Sequence, residues 1–253
     1  MSNNSFDVYM DFGSSKIRAA AFSKNNIDSN FQVEKNCFTN FNKTDFDFSS
    51  TETVIEKIIL EIEDKTKEYL NNIDLMIDST EVFSIGLSLS KNLDGIRLKK
   101  EDVQFLIQDA KQQILRSYSN KDIIHIIIKN YKINNVDYDF LSTEINCNLL
   151  SLDIIFICLP KNIIRGLKEL FVKFNVSVNQ ISLSSYAKSL NYKNDFLTNE
   201  NTAYIDMGYN KTSIIYYKKN NISSFNVIPI GGNHITKDLS KILDVDLITA
   251  EKI

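Results

Sequence analysis

The sequence predicts an α/β protein, and three observations carry that prediction. Amphipathic helical stretches alternate with short strand-like runs. The first ninety residues read strand-strand-strand-helix-strand. Two glycine turns, one in VYMDFGSSKIRAAAF (Val8 to Phe22) and one in AYIDMGYNKTSIIYYKK (Ala203 to Lys219), each sit between apolar runs with an aspartate closing the first run. The chain has 253 residues, 43% of them hydrophobic, enough to bury a substantial core as one large domain or two smaller ones. With 29 Lys and Arg against 32 Asp and Glu, the formal charge is -3. The bases are scattered among acids, which argues against a nucleic-acid partner, since that needs a basic patch able to displace counterions.

In chain order, Asp7 to Met10 and Lys16 to Phe22 read as a hairpin around DFGSS, and Phe31 to Phe38 as a third strand. About a dozen polar residues lead from there to a helix over Glu52 to Leu70. Its apolar positions Val54, Ile55, Ile58, Ile59 and Ile62 share one side, and Ser49-x-x-Glu52 forms a capping box. Glu81 to Ser90 returns to a strand. A second helix, Glu101 to Tyr118, carries Val103, Leu106, Ala110 and Ile114 at helical spacing and is followed by strands over Asp122 to Tyr131, Tyr138 to Cys147 and Leu152 to Leu159. Asn134-Asn135 is the expected hairpin turn, because asparagine tolerates left-handed backbone angles. These residues read as a strand-helix-strand-strand module inserted into the α/β unit. A helix over Asn162 to Phe174, a strand over Val176 to Leu183 and a helix over Ser184 to Leu190 follow. Asn201 to Asp206, Lys211 to Lys218 and Ile222 to Ile230 then repeat the order of the first three strands, and Ile235 to Leu243 forms the next helix. That repetition suggests duplicated halves.

Both turns carry what a triphosphate and its cation require: backbone amides that can come close, hydroxyls or a lysine for the oxygens, and a carboxylate for a hydrated metal. In the first turn these are Asp11, Gly13, Ser14, Ser15 and Lys16. In the second they are Asp206, Gly208, Lys211 and Thr212. Either turn alone is equally an ordinary hairpin; the pairing, together with Gly231-Gly232 before a helix start, favours a nucleotide cleft. The glycine pair would seat the helix start against the ligand, with its N–H groups free for an anion. His234 reads as a helix-start cap and His125, within DIIHIIIK, as a strand-face histidine. Cys37, Cys147 and Cys158 read as buried reduced thiols. No Cys/His cluster has metal spacing, and MSNNSFDV lacks the features of a signal peptide.

The runs IPIGGNHITKDLSKIL and AEKI, with IDMGYNKTSI, MDFGSSKIRAAAF and HIIIKNYKINNVD, resemble the actin, Hsp70 and sugar-kinase superfamily, and within it the FtsA family of bacterial cell-division proteins. The position of the insertion is similar to that family: only a short loop follows the third strand, and the extra module comes later. The resemblance implies an actin-like (ribonuclease H-like) ATPase fold with an inserted SHS2 module, termed 1C. It implies a first part of subdomain 1A over 1–87, the insertion over 88–165, the remainder of 1A over 166–201 and the start of 2A over 202–253. It also implies ATP and Mg2+ as cofactors. Asp11 and Asp206 would stand at the metal. Gly13, Ser14, Ser15, Lys16, Gly208, Lys211, Thr212, Gly231 and Gly232 would stand at the nucleotide, with Glu251 near the nucleoside.

The function implied is that of a polymerising adaptor that ties the FtsZ ring to the inner membrane from its cytoplasmic face and recruits later division proteins. Subdomain 2B, most of the FtsZ-binding surface and an amphipathic membrane helix are expected beyond Ile253. Where the family has a Gly-rich turn with threonines, Tyr209, Asn210 and Lys211 stand here, which points to at most weak ATPase activity. Alternatives are a PilM-type pilus-assembly adaptor, a small-molecule kinase, and an actin-like platform without nucleotide.

Overall fold

The structure, a computed structural model, describes residues 5–25, 30–37, 49–141, 145–193 and 200–253. It opens with β1 (Phe6–Phe12), β2 (Lys16–Ser23) and β3 (Asn30–Asn36), an antiparallel meander, followed by α1 (Ser49–Thr66) and β4 (Asn72–Ile77). The polar connection before α1 lies outside the described residues, as do Phe38 and the Ser49 side chain of the expected capping box. Alternation builds β1: Val8, Met10 and Phe12 are buried on one face, whereas Tyr9 and Asp11 point to the other. On α1, Ile55, Ile58, Ile59 and Ile62 recur at helical spacing and close over the buried face.

β4 is a strand that the sequence reading passed over. Its alternation is nonetheless regular, with Ile73, Leu75 and Ile77 all but inaccessible, and it pairs in parallel with β1. The strand expected at Glu81 to Ser90 belongs to a different sheet. It is β5 (Phe83–Arg97), which with α2 (Lys100–Ser117), β6 (Lys121–Ile133), β7 (Val136–Tyr138) and β8 (Asn146–Pro160) forms a four-stranded antiparallel sheet ordered β5-β8-β6-β7 under one helix. The expected strand over Tyr138 to Cys147 is not continuous. β7 ends at Tyr138 and β8 begins at Asn146, with residues 142–144 outside the described set. Asn134 and Asn135 do turn the chain, with φ of 52° and 66°.

The most apolar run of the sequence lies in β8, and its packing explains the composition. Leu150, Leu152, Ile154, Phe156 and Cys158 face α2, where Val103, Leu106, Ala110 and Ile114 complete one core. Ile155, Ile157 and Leu159 face the main body and join a second core with α1, β1 and β4. A strand covered on both faces needs apolar residues at every position.

The chain continues through α3 (Lys161–Val172), β9 (Ser177–Leu183) and α4 (Ser184–Asn191), then β10 (Asn201–Met207), β11 (Thr212–Lys218), β12 (Asn221–Ile228), α5 (Gly232–Leu243) and α6 (Leu247–Ala250). β9 adds in parallel to β4, so the first sheet is ordered β3-β2-β1-β4-β9, while β10-β11-β12 make an antiparallel sheet of their own. The two meanders β1-β2-β3 and β10-β11-β12 therefore correspond. Three aspartates, Asp11, Asp78 and Asp206, lie in or just after the C-terminal ends of β1, β4 and β10. In open α/β sheets, ligands bind beyond the carboxyl ends of strands.

Candidate nucleotide cleft

The two glycine turns have the same local construction. Gly13 N–H donates to the Lys16 carbonyl at 3.0 Å, and Gly208 N–H to the Lys211 carbonyl at 2.8 Å. A Cβ on Gly13 would lie 2.9 Å from the Lys16 oxygen, and one on Gly208 would lie 3.3 Å from that of Lys211. Glycine here serves the tightness of the turn. The turns face each other across a cleft of about 320 Å³. Of the residues expected at a nucleotide or its metal, Asp11, Gly13, Ser14, Ser15, Lys16, Asp206, Gly208 and Lys211 line it; Thr212, Gly231, Gly232 and Glu251 do not. A larger hollow of about 630 Å³ lies on the uncovered face of the first sheet between Tyr9, Phe22 and Met76, with Asp11 and Arg18 at its edge. It lacks both glycine turns, so the chemistry suited to phosphates stays with the smaller cleft.

Two residues in or beside the turns are engaged differently from expectation. Lys211 does not extend towards a ligand. Its side chain is 2% exposed, with Nζ 2.9 Å from Asp78 Oδ1 and donating to Ser213 Oγ at 2.5 Å. Thr212 is buried, and its hydroxyl donates to the Ile230 carbonyl at 2.7 Å. Lys16 remains at the mouth of the cleft, where Nζ meets Glu34 at 2.7 Å in a half-exposed ion pair. Such pairs exchange readily for another anion.

The glycine pair also has a different task. Gly232 N–H donates to the Gly208 carbonyl at 3.0 Å and Asn233 N–H to that of Tyr209 at 2.9 Å, so the first amides of α5 are spent on the second turn. Gly231 N–H is taken by His234 Nδ1 at 3.2 Å, which makes His234 the helix-start cap expected. A Cβ on Gly231 would fall 2.4 Å from the Gly208 oxygen. Gly231-Gly232 is thus a backbone junction that fixes the second turn on α5, in place of a free anion cradle. Glu251 ends α6 on the exposed surface.

Four residues lining the cleft were missed from the sequence, Arg18, Asp78, Lys188 and Met207, and two of them shape its charge most. Asp78, following β4, is buried, and loss of water pushes its carboxyl above the ordinary carboxylate range, opposed by Lys211. A signal existed: YMD, MID and YID each end a strand-like run with an acid. Lys188, from α4, enters the cleft and donates to Asp206 Oδ2 at 3.1 Å. Burial is the largest influence on it and works to lower its pKa, yet Asp206, Asp11 and Asp78 together hold it above the ordinary lysine value. No sequence pattern marks this lysine, because only the fold brings α4 to the turns.

The magnesium implied by the resemblance does not fit this donor set. Asp11 Oδ1 accepts from Ser184 Oγ at 2.6 Å, Asp206 Oδ2 from the Lys188 ammonium, and Asp78 is paired with Lys211. Arg18 Nη1 lies 3.7 Å from Asp11 Oδ2. Three carboxylates already face three cations. Among the described residues, no group of three or more His, Cys, Asp or Glu side chains could hold a metal.

His125 lies beneath the cleft as a structural acceptor. Its Nε2 receives the Leu183 N–H at 3.0 Å, at the junction of β9 and α4, and its ring packs edge-on against Tyr186. Burial lowers its pKa to about 4. Cys37, Cys147 and Cys158 are buried free thiols. No described helix is long and apolar enough to cross a membrane.

Comparison with known proteins points to one family by sequence and one fold by structure. The profile of the cell division protein FtsA matches residues 203–253, the second turn through α6. Curated FtsA proteins are similar at low identity. That of Buchnera aphidicola subsp. Acyrthosiphon pisum is 26% identical over 207 residues, 74% of this chain and 47% of its own length. That of Helicobacter pylori is 29% identical over 93 residues, 37% of this chain and 19% of its own. The chain spans about half the length, or less, of the curated relatives it matches. Among solved structures, a PilM-PilN type IV pilus biogenesis complex superposes with a TM-score of 0.69 over 97% of this chain and 68% of its own, at 10% identity. The ethanolamine utilization protein EutJ of Carboxydothermus hydrogenoformans gives 0.51 over 98% of this chain and 60% of its own, at 10% identity. The fold is that of the actin-like ATPases.

Proposed function

We propose that the chain, which has the actin-like ATPase fold and is similar to FtsA proteins, serves bacterial cell division as a nucleotide-binding adaptor. The observation that carries the nucleotide part is the cleft itself. Two glycine turns with the same closing hydrogen bond face each other across it, at the carboxyl ends of β1 and β10. Such a site can hold a polyphosphate by backbone amides of both turns and the serine hydroxyls of the first, so ligand binding and the relative position of the two meanders are linked.

In this proposal Gly13, Ser14, Ser15 and Lys16 receive the phosphates of ATP on one side, with Asp11 beside them. Gly208 lies on the other side with Asp206 beside it, and Gly231 and Gly232 act by holding the second turn. Attachment to FtsZ, recruitment of later division proteins through the α2 module, self-association and a place on the cytoplasmic face of the inner membrane belong to the same proposal. They rest on family kinship. The pilus-assembly reading draws on the superposition with PilM, whereas the sequence relatives named for FtsA favour division.

One experiment separates the two. A fluorescent fusion of the protein, expressed in its native host, is expected to form a band that coincides with the FtsZ ring at mid-cell and disperses when FtsZ is depleted. A distribution unaffected by FtsZ depletion would contradict the division reading, and co-localisation with pilus machinery would favour the second.

A further inference from the structure

Lys188 offers what a divalent cation would otherwise supply. Its ammonium donates to Asp206 Oδ2 at 3.1 Å and lies in the field of Asp11 and Asp78, so it stands among the carboxylates at the ends of β1, β4 and β10. Its side chain is 42% exposed, whereas that of Asp206 is 17% exposed, so the cation rather than the carboxylate faces the open space. Its position is fixed by the packing of α4. Ser184 Oγ from the same helix donates to Asp11 Oδ1, and Ser189 Oγ shares a hydrogen bond of 2.7 Å with the buried Tyr217 hydroxyl. Of the other cations lining the site, Lys211 is buried against Asp78, Arg18 bonds Glu34 with its Nη1 3.7 Å from Asp11, and Lys16 pairs with Glu34 at the mouth.

A polyphosphate entering between the turns meets Asp11 and Asp206, and like charges at that range repel unless a cation lies between them. A metal normally does this. Here, we propose, the Lys188 ammonium takes that position, so that a nucleoside polyphosphate binds this cleft without a divalent metal. A lysine is a compact charge with three donors. It can keep its bond to Asp206 while donating to a phosphate oxygen. No bond is made or broken in this role, and it rests on the reading of the cleft as a nucleotide site.

The test is an equilibrium titration of the protein with a fluorescent ATP analogue, once in magnesium and once in EDTA, using wild type, Lys188→Ala and Lys188→Arg. Wild type is expected to bind in both buffers with affinities that agree within about threefold, well under the tenfold that corresponds to about 1.4 kcal/mol. Lys188→Ala should lose at least about tenfold in EDTA and recover when magnesium is restored, with Lys188→Arg close to wild type. Wild-type binding that vanishes in EDTA overturns this proposal alone and leaves the nucleotide reading standing. So does Lys188→Ala binding as wild type does in EDTA. Absence of wild-type binding in both buffers overturns the nucleotide reading and this proposal with it. The wild-type comparison involves no substitution, so it stands even if a variant fails to fold.

Discussion

Gly231 and Gly232 stand side by side and do different things. A Cβ on Gly231 meets three backbone atoms, the oxygens of Gly208 and Tyr209 and the Lys211 nitrogen, at 2.4, 2.6 and 2.7 Å; one on Gly232 meets only the Gly208 oxygen at 4.0 Å. The φ of Gly231 is -143°, open to any residue, so its requirement is space and not backbone freedom. Gly231→Ala should therefore cost about 1–3 kcal/mol through forced backbone shifts, seen as a lower urea midpoint at unchanged slope, with Gly232→Ala much milder. Equal effects would show that the junction between α5 and the second turn is not close-packed.

His125 belongs to the same scale. Unfolded, it binds a proton near pH 6.5; folded, burial holds its pKa at about 4, so between these values the unfolded chain binds more protons. Stability is full above pH 6.5 and is lost as pH falls towards 4, by at most about 3 kcal/mol. His125→Gln keeps an acceptor for the Leu183 N–H and has no charge to gain. Urea unfolding at several pH values should show a flatter acid limb in this variant, and an unchanged slope would contradict the assignment.

At the scale of elements, β8 divides the molecule between two cores, because consecutive residues point to opposite faces. Phe156 packs towards α2, and Ile157 towards the body that holds α1 and β1. Truncation to alanine should cost about 3–5 kcal/mol at Phe156 and about 2–5 kcal/mol at Ile157. The two losses should differ in place: native-state amide exchange should speed up in α2 for Phe156→Ala and in α3 and β9 for Ile157→Ala. Identical protection patterns would mean that the cores are not separate.

Much of this level was legible in the sequence. The helices and the meanders announced themselves through periodicity, and Asn134-Asn135 through its turn chemistry. β4 escaped because its six residues sit close behind α1 with no glycine or proline to mark a boundary. β5 was read as the strand that follows the first helix in the α/β unit, because alternation marks a strand and not its neighbours. The roles of Lys211 and Thr212 were misjudged for a related reason. Their residue types suit phosphate, but whether a side chain turns towards a cleft or towards Asp78 and Ile230 depends on contacts between segments far apart in the chain.

At the scale of the whole molecule, two similar hairpins brought face to face make a site that neither contains alone. Asp11 and Asp206 are 195 positions apart in the sequence, yet Lys188 lies in the field of both. This is why the paired turns were a better guide than either motif singly, and why Lys188 could be found only in three dimensions. The central claim is that this cleft takes a nucleotide polyphosphate. It is tested most directly by titrating the protein with a fluorescent ATP analogue beside Ser14→Glu, which puts a negative charge into the first turn at a residue that is not itself buried. Saturable binding by wild type, weakened at least about tenfold in Ser14→Glu with its unfolding midpoint unchanged, is the predicted result. No saturable binding by wild type, or equal affinity in the two proteins, would contradict it.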